Sequence, residues 1–121
     1  MTVRPAILVD FKKYRIRIHK NTLLALGNPN YVLILVNPEE RTLAVLRSGL
    51  SDPRAYRITT TSLEANKSVE LYSRALVKNL CDVFSGWHDR QSYRLYGEII
   101  PSEGIARFSM PEAELVTGAV S

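Results

Sequence analysis

Lys13, Arg15, Arg17 and His19 occupy alternate positions in the run KKYRIRIHK, and Tyr14, Ile16 and Ile18 fill the places between them. Successive side chains of an extended backbone point to opposite faces, so this spacing sets a cationic row against an apolar one. Long cationic side chains two residues apart suit a nucleic-acid backbone, where phosphate contacts give affinity without reading sequence. At roughly 3.3 Å per residue the row extends over about 20 Å. Lys12 and Lys20 lengthen it and Arg4 assists, so the expected contacts are Lys12, Lys13, Arg15, Arg17, His19 and Lys20. The same pattern describes a solvated strand face whose charge discourages edge pairing. The state of the guanidinium groups separates the two. If they are free, Arg15→Ala with Arg17→Ala flattens the salt dependence of duplex binding and spares the fold. If internal carboxylates hold them, the row has no phosphate role.

Other constellations point less clearly to chemistry. His88 and Asp89 adjoin, a pairing compatible with acid–base work, but no serine or cysteine motif accompanies them. The one cysteine, Cys81, falls on the apolar side of an expected helix. One cysteine and two histidines separated by 69 residues lack metal-ligand spacing, and glycine-rich phosphate loops are absent. No catalytic residue, metal or cofactor is therefore expected. Tyr93, Tyr96 and Phe108, with Arg94 and Arg107 among them, admit an RNA-stacking role, although cross-strand packing is the plainer reading. Trp87 is expected as a core or interface anchor.

Several elements must hold the row in place. Residues 5–9 read as a short strand, and 12–20 as a half-buried one. Asn21 can cap a short helix that buries Leu23 and Leu26, with Gly27 ending it in a left-handed conformation. Residues 31–36 and 42–46 form a hairpin around a type I turn at Asn37-Pro38. After a polar connection, 55–61 suits a strand and 62–68 a loop. Strand 69–71, a helix capped by Ser73 and running to about 85, strand 93–100, a turn and strand 105–110 then follow. Pro111 stops the last strand, and 112–121 are expected to fray.

The second half echoes the first. A shift of 53 lays Ile16, Ile18 and Leu23 on Val69, Leu71 and Leu76, and a shift of 63 lays Val32, Val36, Pro38 and Val45 on Leu95, Ile99, Pro101 and Phe108. The expected architecture is one β-rich α+β domain of two strand–helix–hairpin units, about 5–47 and 69–111, joined by 48–68 and related by a pseudo-twofold axis. Each hairpin alone exposes an apolar side, so pairing within the chain or in a homodimer is required. Leu33, Leu35, Val45, Leu95 and Phe108 are candidates for the shared core, with either face of the first hairpin able to supply it.

Bulk properties agree with one intracellular domain. The chain has 121 residues, 45% apolar and 23% charged, which suffices for a core without staples. A single cysteine suits a reducing, cytoplasmic setting. No apolar run approaches the roughly 18 residues of a membrane span, and PAILV is too short for a signal sequence. The net charge of +4 is uneven: +5 over residues 1–20, +2 over 21–97 and −3 from Glu98 onward. A basic surface for polyanions and an acidic one elsewhere would follow.

Arg15-Ile16-x-Ile18, then Ala25-Leu26-Gly27, then the apolar hairpin over 31–45 resembles the swapped-hairpin domains of the AbrB/SpoVT/MazE type. These are small β-rich modules of prokaryotic transition-state regulators and antitoxins. The match covers about 32 of the 121 residues, and two such units in one chain are similar to MraZ-like proteins. Tyr14 stands where the pattern has Gly, His19 where it has Pro, and Leu23 where it has the helix Arg of the DNA surface. The resemblance implies a swapped-hairpin or small barrel-like fold and a non-enzymatic regulator of transcription that binds double-stranded DNA. Its alternative is a protein-interaction or assembly module, antitoxin-like or a phage accessory, that kept the fold without the DNA contacts.

Overall fold

A computed structural model describes residues 4–49, 51–58, 68–84, 87 and 90–116. In chain order the strands are β1 (Ala6–Asp10), β2 (Arg15–His19), β3 (Tyr31–Asn37), β4 (Thr42–Ser48), β5 (Tyr56–Arg57), β6 (Ser68–Tyr72), β7 (Ser92–Ile100), β8 (Ile105–Ser109) and β9 (Glu114–Val116). Among the described residues the helices are α1 (Lys20–Ala25) and α2 (Arg74–Val83), with a 3-10 turn at Met110–Glu112. The strands form one sheet in the order β5-β3-β4-β8-β7-β1-β2-β6, and β9 pairs with β7. It is β-rich, with few helices, and the sheet curls into a nearly closed, barrel-like form.

Period-two patterning decides which face goes inward. Ile7 and Val9 of β1, Ile16 and Ile18 of β2, Val69 and Leu71 of β6, and Tyr93 and Leu95 of β7 are all buried. The intervening residues face out. On the first hairpin the inward face is that of Val32, Leu43 and Val45, while Leu33 is half-buried and Leu35 exposed. Of the candidates for the shared core, Val45, Leu95 and Phe108 therefore lie in it and the two leucines of β3 do not. Trp87 is buried and stacks on Tyr93 with ring centroids 4.9 Å apart, flanked edge-on by Phe11 and Phe84.

Several boundaries differ from the sequence reading, each for a local reason. Residues 12–14 are turn, not strand, because Asp10 Oδ1 accepts the Lys12 amide and Tyr14 takes a φ of 53°. The alternating strand therefore begins only at Arg15. His19, not Asn21, caps α1: its Nδ1 accepts the Asn21 amide at 3.2 Å. Ser73 caps α2 as expected, and Gly27 follows α1 with φ 85°. Residues 114–116 do not fray, since they extend the line of β8 along β7. Of the described part of the expected strand 55–61, Tyr56–Arg57 pairs with β3; positions 59–61 lie outside the described residues.

β7 is the element that joins the two halves of the sheet. Its first half pairs with β1 on one edge and β9 on the other, and its second half pairs with β8. Gly97 sits at the changeover. A Cβ there would lie 2.2 Å from the Arg107 carbonyl oxygen and 2.7 Å from the Phe108 ring. The Gly97 amide also donates to the Pro5 carbonyl at 3.0 Å, fixing the entry into β1.

Candidate nucleic-acid interface

The outer face of β9, β7, β1, β2 and β6 carries the cationic residues that the sequence singled out. Pairing registers bring Glu114, Arg94, Leu8, Arg17 and Glu70 side by side across five strands. In the neighbouring row Ser92, Asp10, Arg15 and Tyr72 are partners. Arg15, Arg17 and His19 thus project outward together above buried Ile16 and Ile18, as their alternation predicts.

They are not free. Arg15 donates from Nε to Asp10 Oδ2 at 3.0 Å and forms an ion pair through Nη1 with Glu70. Arg17 donates from Nη2 to the same Glu70 oxygen at 3.1 Å. Asp10 is buried, at 4% exposure, and also accepts from the Lys12 amide at 2.8 Å and the Ser92 hydroxyl at 3.2 Å. Burial alone would raise the Asp10 carboxyl; the Lys12 amide, Arg15 and Ser92 outweigh it and hold it below the ordinary value. Burial likewise works against the charge on Arg15, but Tyr72, Asp10 and Glu70 raise its guanidinium above the usual range. The condition set for a phosphate-contacting row fails at Arg15 outright and at Arg17 in part. Arg17 Nε, moreover, is shielded from solvent with no hydrogen-bond partner among the described residues.

On this outer face the charges balance in number, Arg15, Arg17 and Arg94 against Asp10, Glu70 and Glu114, and elsewhere Arg107 pairs with Glu98 at 3.0 Å. Further cations sit at the ends of the β1–β2 pair. Lys12 and Lys13 lie exposed in the β1–β2 turn, Lys20 lies exposed at the start of α1, and Arg4 lies exposed ahead of β1. Among the described residues none of these four has an ion-pair partner, although the Arg4 guanidinium rests 5.4 Å from the Tyr96 ring centroid. At the turn end, Arg74 stacks on Tyr14 at 4.7 Å.

Two adjoining depressions break the outer face. One, of about 220 Å³, is lined by Ala6, Leu8, Arg17, His19, Ser68 and Arg94. The other, of about 510 Å³, shares Ala6, His19 and Arg94 and continues to Arg4, Asn21, Tyr96 and Glu114. Ala6 makes the notch, a small side chain between larger outward neighbours on the strands beside it. Sequence reasoning did not assemble this set, because only the pairing of β1 with β7, some ninety positions away, brings Arg94 and Tyr96 to Ala6.

The remaining expected features fall elsewhere. Tyr93 and Phe108 are core residues and cannot meet a base, whereas Tyr96 faces outward and is 36% exposed. His88 and Asp89 lie outside the described residues. Among the described residues no group of three or more His, Cys, Asp or Glu is placed to hold a metal ion, and no helix is long and apolar enough to cross a membrane. Comparison of the chain with protein-family models, curated proteins and solved structures returns no match.

Proposed function

We propose that this chain is a non-enzymatic, DNA-binding regulatory module that meets the phosphate backbone at the two ends of β2, not along it. One observation carries the proposal. The exposed cations Arg4, Lys12, Lys13 and Lys20, without ion-pair partners among the described residues, lie at the two ends of the antiparallel β1–β2 pair. Exposed lysines release counterions from a duplex without needing a shaped site. Between them the clamp of Asp10, Glu70, Arg15 and Arg17 keeps the strands level and neutral.

The two-unit, swapped-hairpin arrangement belongs to the same proposal, and the strand registers support it. Under the shift of 53, Arg17 corresponds to Glu70, and those two are paired, with Arg15↔Tyr72 and His19↔Ser68 symmetrically on either side. Under the shift of 63, Ala44 corresponds to Arg107, and those two are paired as well, with Leu43↔Phe108 and Val45↔Ala106 about them. A pseudo-twofold axis through both pairs accounts for these registers. The hairpin turns agree: Arg41 and Gly104, equivalent under the second shift, both have positive φ, 56° and 65°. Leading strands cross over, β1 pairing with the second hairpin and β5 with the first.

A second reading has its own observation. The clamp withdraws Arg15 and Arg17, and Leu24, Leu35, Tyr72 and Leu115 are exposed, which suits a protein-interaction module of the same fold. Titration of a short random-sequence duplex at low and high salt, beside a pull-down from lysate, separates the two. Duplex binding that weakens steeply with salt is expected; no duplex binding at low salt, with a retained protein partner, rejects the first reading for the second.

A further inference from the structure

We propose that the double depression on the outer face is a site for one unpaired nucleotide, with its phosphate over Ala6 and Leu8 and its nucleoside against Tyr96. This goes beyond duplex binding and does not use the lysines at the ends of β2.

The smaller depression has the chemistry of a phosphate site. Arg94 from β7, Arg17 and His19 from β2 and Ser68 from β6 line it, and among the described residues no carboxylate does. Among the described residues Arg94 has no ion-pair partner, so its guanidinium remains available for the two-point contact that suits phosphate. His19 accepts the Asn21 amide at Nδ1, so the neutral ring carries its proton on Nε2, as a donor. Arg17 Nε–H is a shielded donor without an acceptor among the described residues. A phosphate oxygen reached by a small turn of that side chain would satisfy it, whereas leaving a buried donor unpaired is costly.

The larger depression begins at the same Ala6, His19 and Arg94 and supplies what a nucleoside needs. Tyr96 offers a partly exposed ring, already faced by the Arg4 guanidinium, and a base on such a ring gains stacking and cation–π attraction. The Asn21 amide and the Glu114 carboxylate lie at its border, where a base presents donors and acceptors. Bases inside a duplex have both faces stacked and their pairing edges occupied, so the ligand is a free 5′-mononucleotide or an unpaired nucleotide of a strand.

Calorimetric titration of the full chain with 5′-ribonucleoside monophosphates, the matching nucleosides and inorganic phosphate reads the site directly. Saturable binding of at least one monophosphate is expected, with nucleoside and inorganic phosphate each weaker by about tenfold or more. Ala6→Val fills the notch without changing charge and should lose about tenfold or more, as should Arg94→Ala, which leaves the notch open. Ala6→Val should bind duplex at low salt as the parent does, and circular dichroism should show both variants folded. A single strand that competes with the monophosphate while a blunt hairpin duplex does not assigns the site to strands; competition by neither assigns it to free nucleotides. No binding of any monophosphate, equal binding of the bare nucleoside, equal competition by the blunt hairpin, or parental affinity in both folded variants overturns the proposal.

Discussion

Asp10 shows how one side chain can settle the meaning of a whole row. Its carboxylate is buried and held by the Lys12 amide, Arg15 and Ser92, so it anchors the β1–β2 turn and neutralises Arg15 together. Because its carboxyl titrates lower in the folded chain than its ordinary value, the unfolded chain takes up the proton first. The stability it contributes is complete above the ordinary carboxylate value of about 3.9 and drains away as pH falls through the lower, folded value. Asp10→Asn should lower stability at neutral pH by about 2–4 kcal/mol and leave a flatter decline in acid, as read by denaturant unfolding at stepwise pH. A variant curve parallel to the parent's would contradict this. Arg15→Ala falls under the same expectation, reversing the forecast that the substitution spares the fold. Alternation along KKYRIRIHK correctly assigned Ile16 and Ile18 to the core and the cations to the outside. It carried no information about Asp10 and Glu70, whose carboxylates reach Arg15 only through the turn and through pairing with β6, 55 positions away.

Among the elements, β7 is the one whose character was least visible in advance. Its residues read as a simple hairpin strand, and the hairpin with β8 forms as expected, but β1 and β9 also claim its first half. Local signals fared better where the physics is local. Ser73 caps α2, Gly27 turns the chain out of α1, and Pro38 and Pro101 open matching turns. Gly97 gave no such signal, since its need arises from Phe108 and the Arg107 carbonyl across the pair. Gly97→Ala should destabilise the fold by about 1–3 kcal/mol through overpacking. Thermal unfolding followed by far-UV circular dichroism measures it, and a variant as stable as the parent would contradict the tight approach of β7 to β8.

At the scale of the molecule, the sheet is held together by pairing between strands far apart in the sequence, β2 with β6 and β4 with β8. Hydrophobic periodicity was enough to foresee a β-rich fold with few helices. It could not foresee where charge would accumulate, because the ion pairs of Arg15, Arg17 and Arg107 join residues from different strands. The net effect is a sheet face that is neutral in the middle and positive at the ends. Duplex binding as a function of salt tests this most directly, comparing the parent with a Lys12→Ala, Lys13→Ala, Lys20→Ala chain. The slope of log affinity against log salt should shrink by about 0.9 for each lysine that meets a phosphate. A slope in the triple variant equal to the parent's would contradict binding at the two ends of β2.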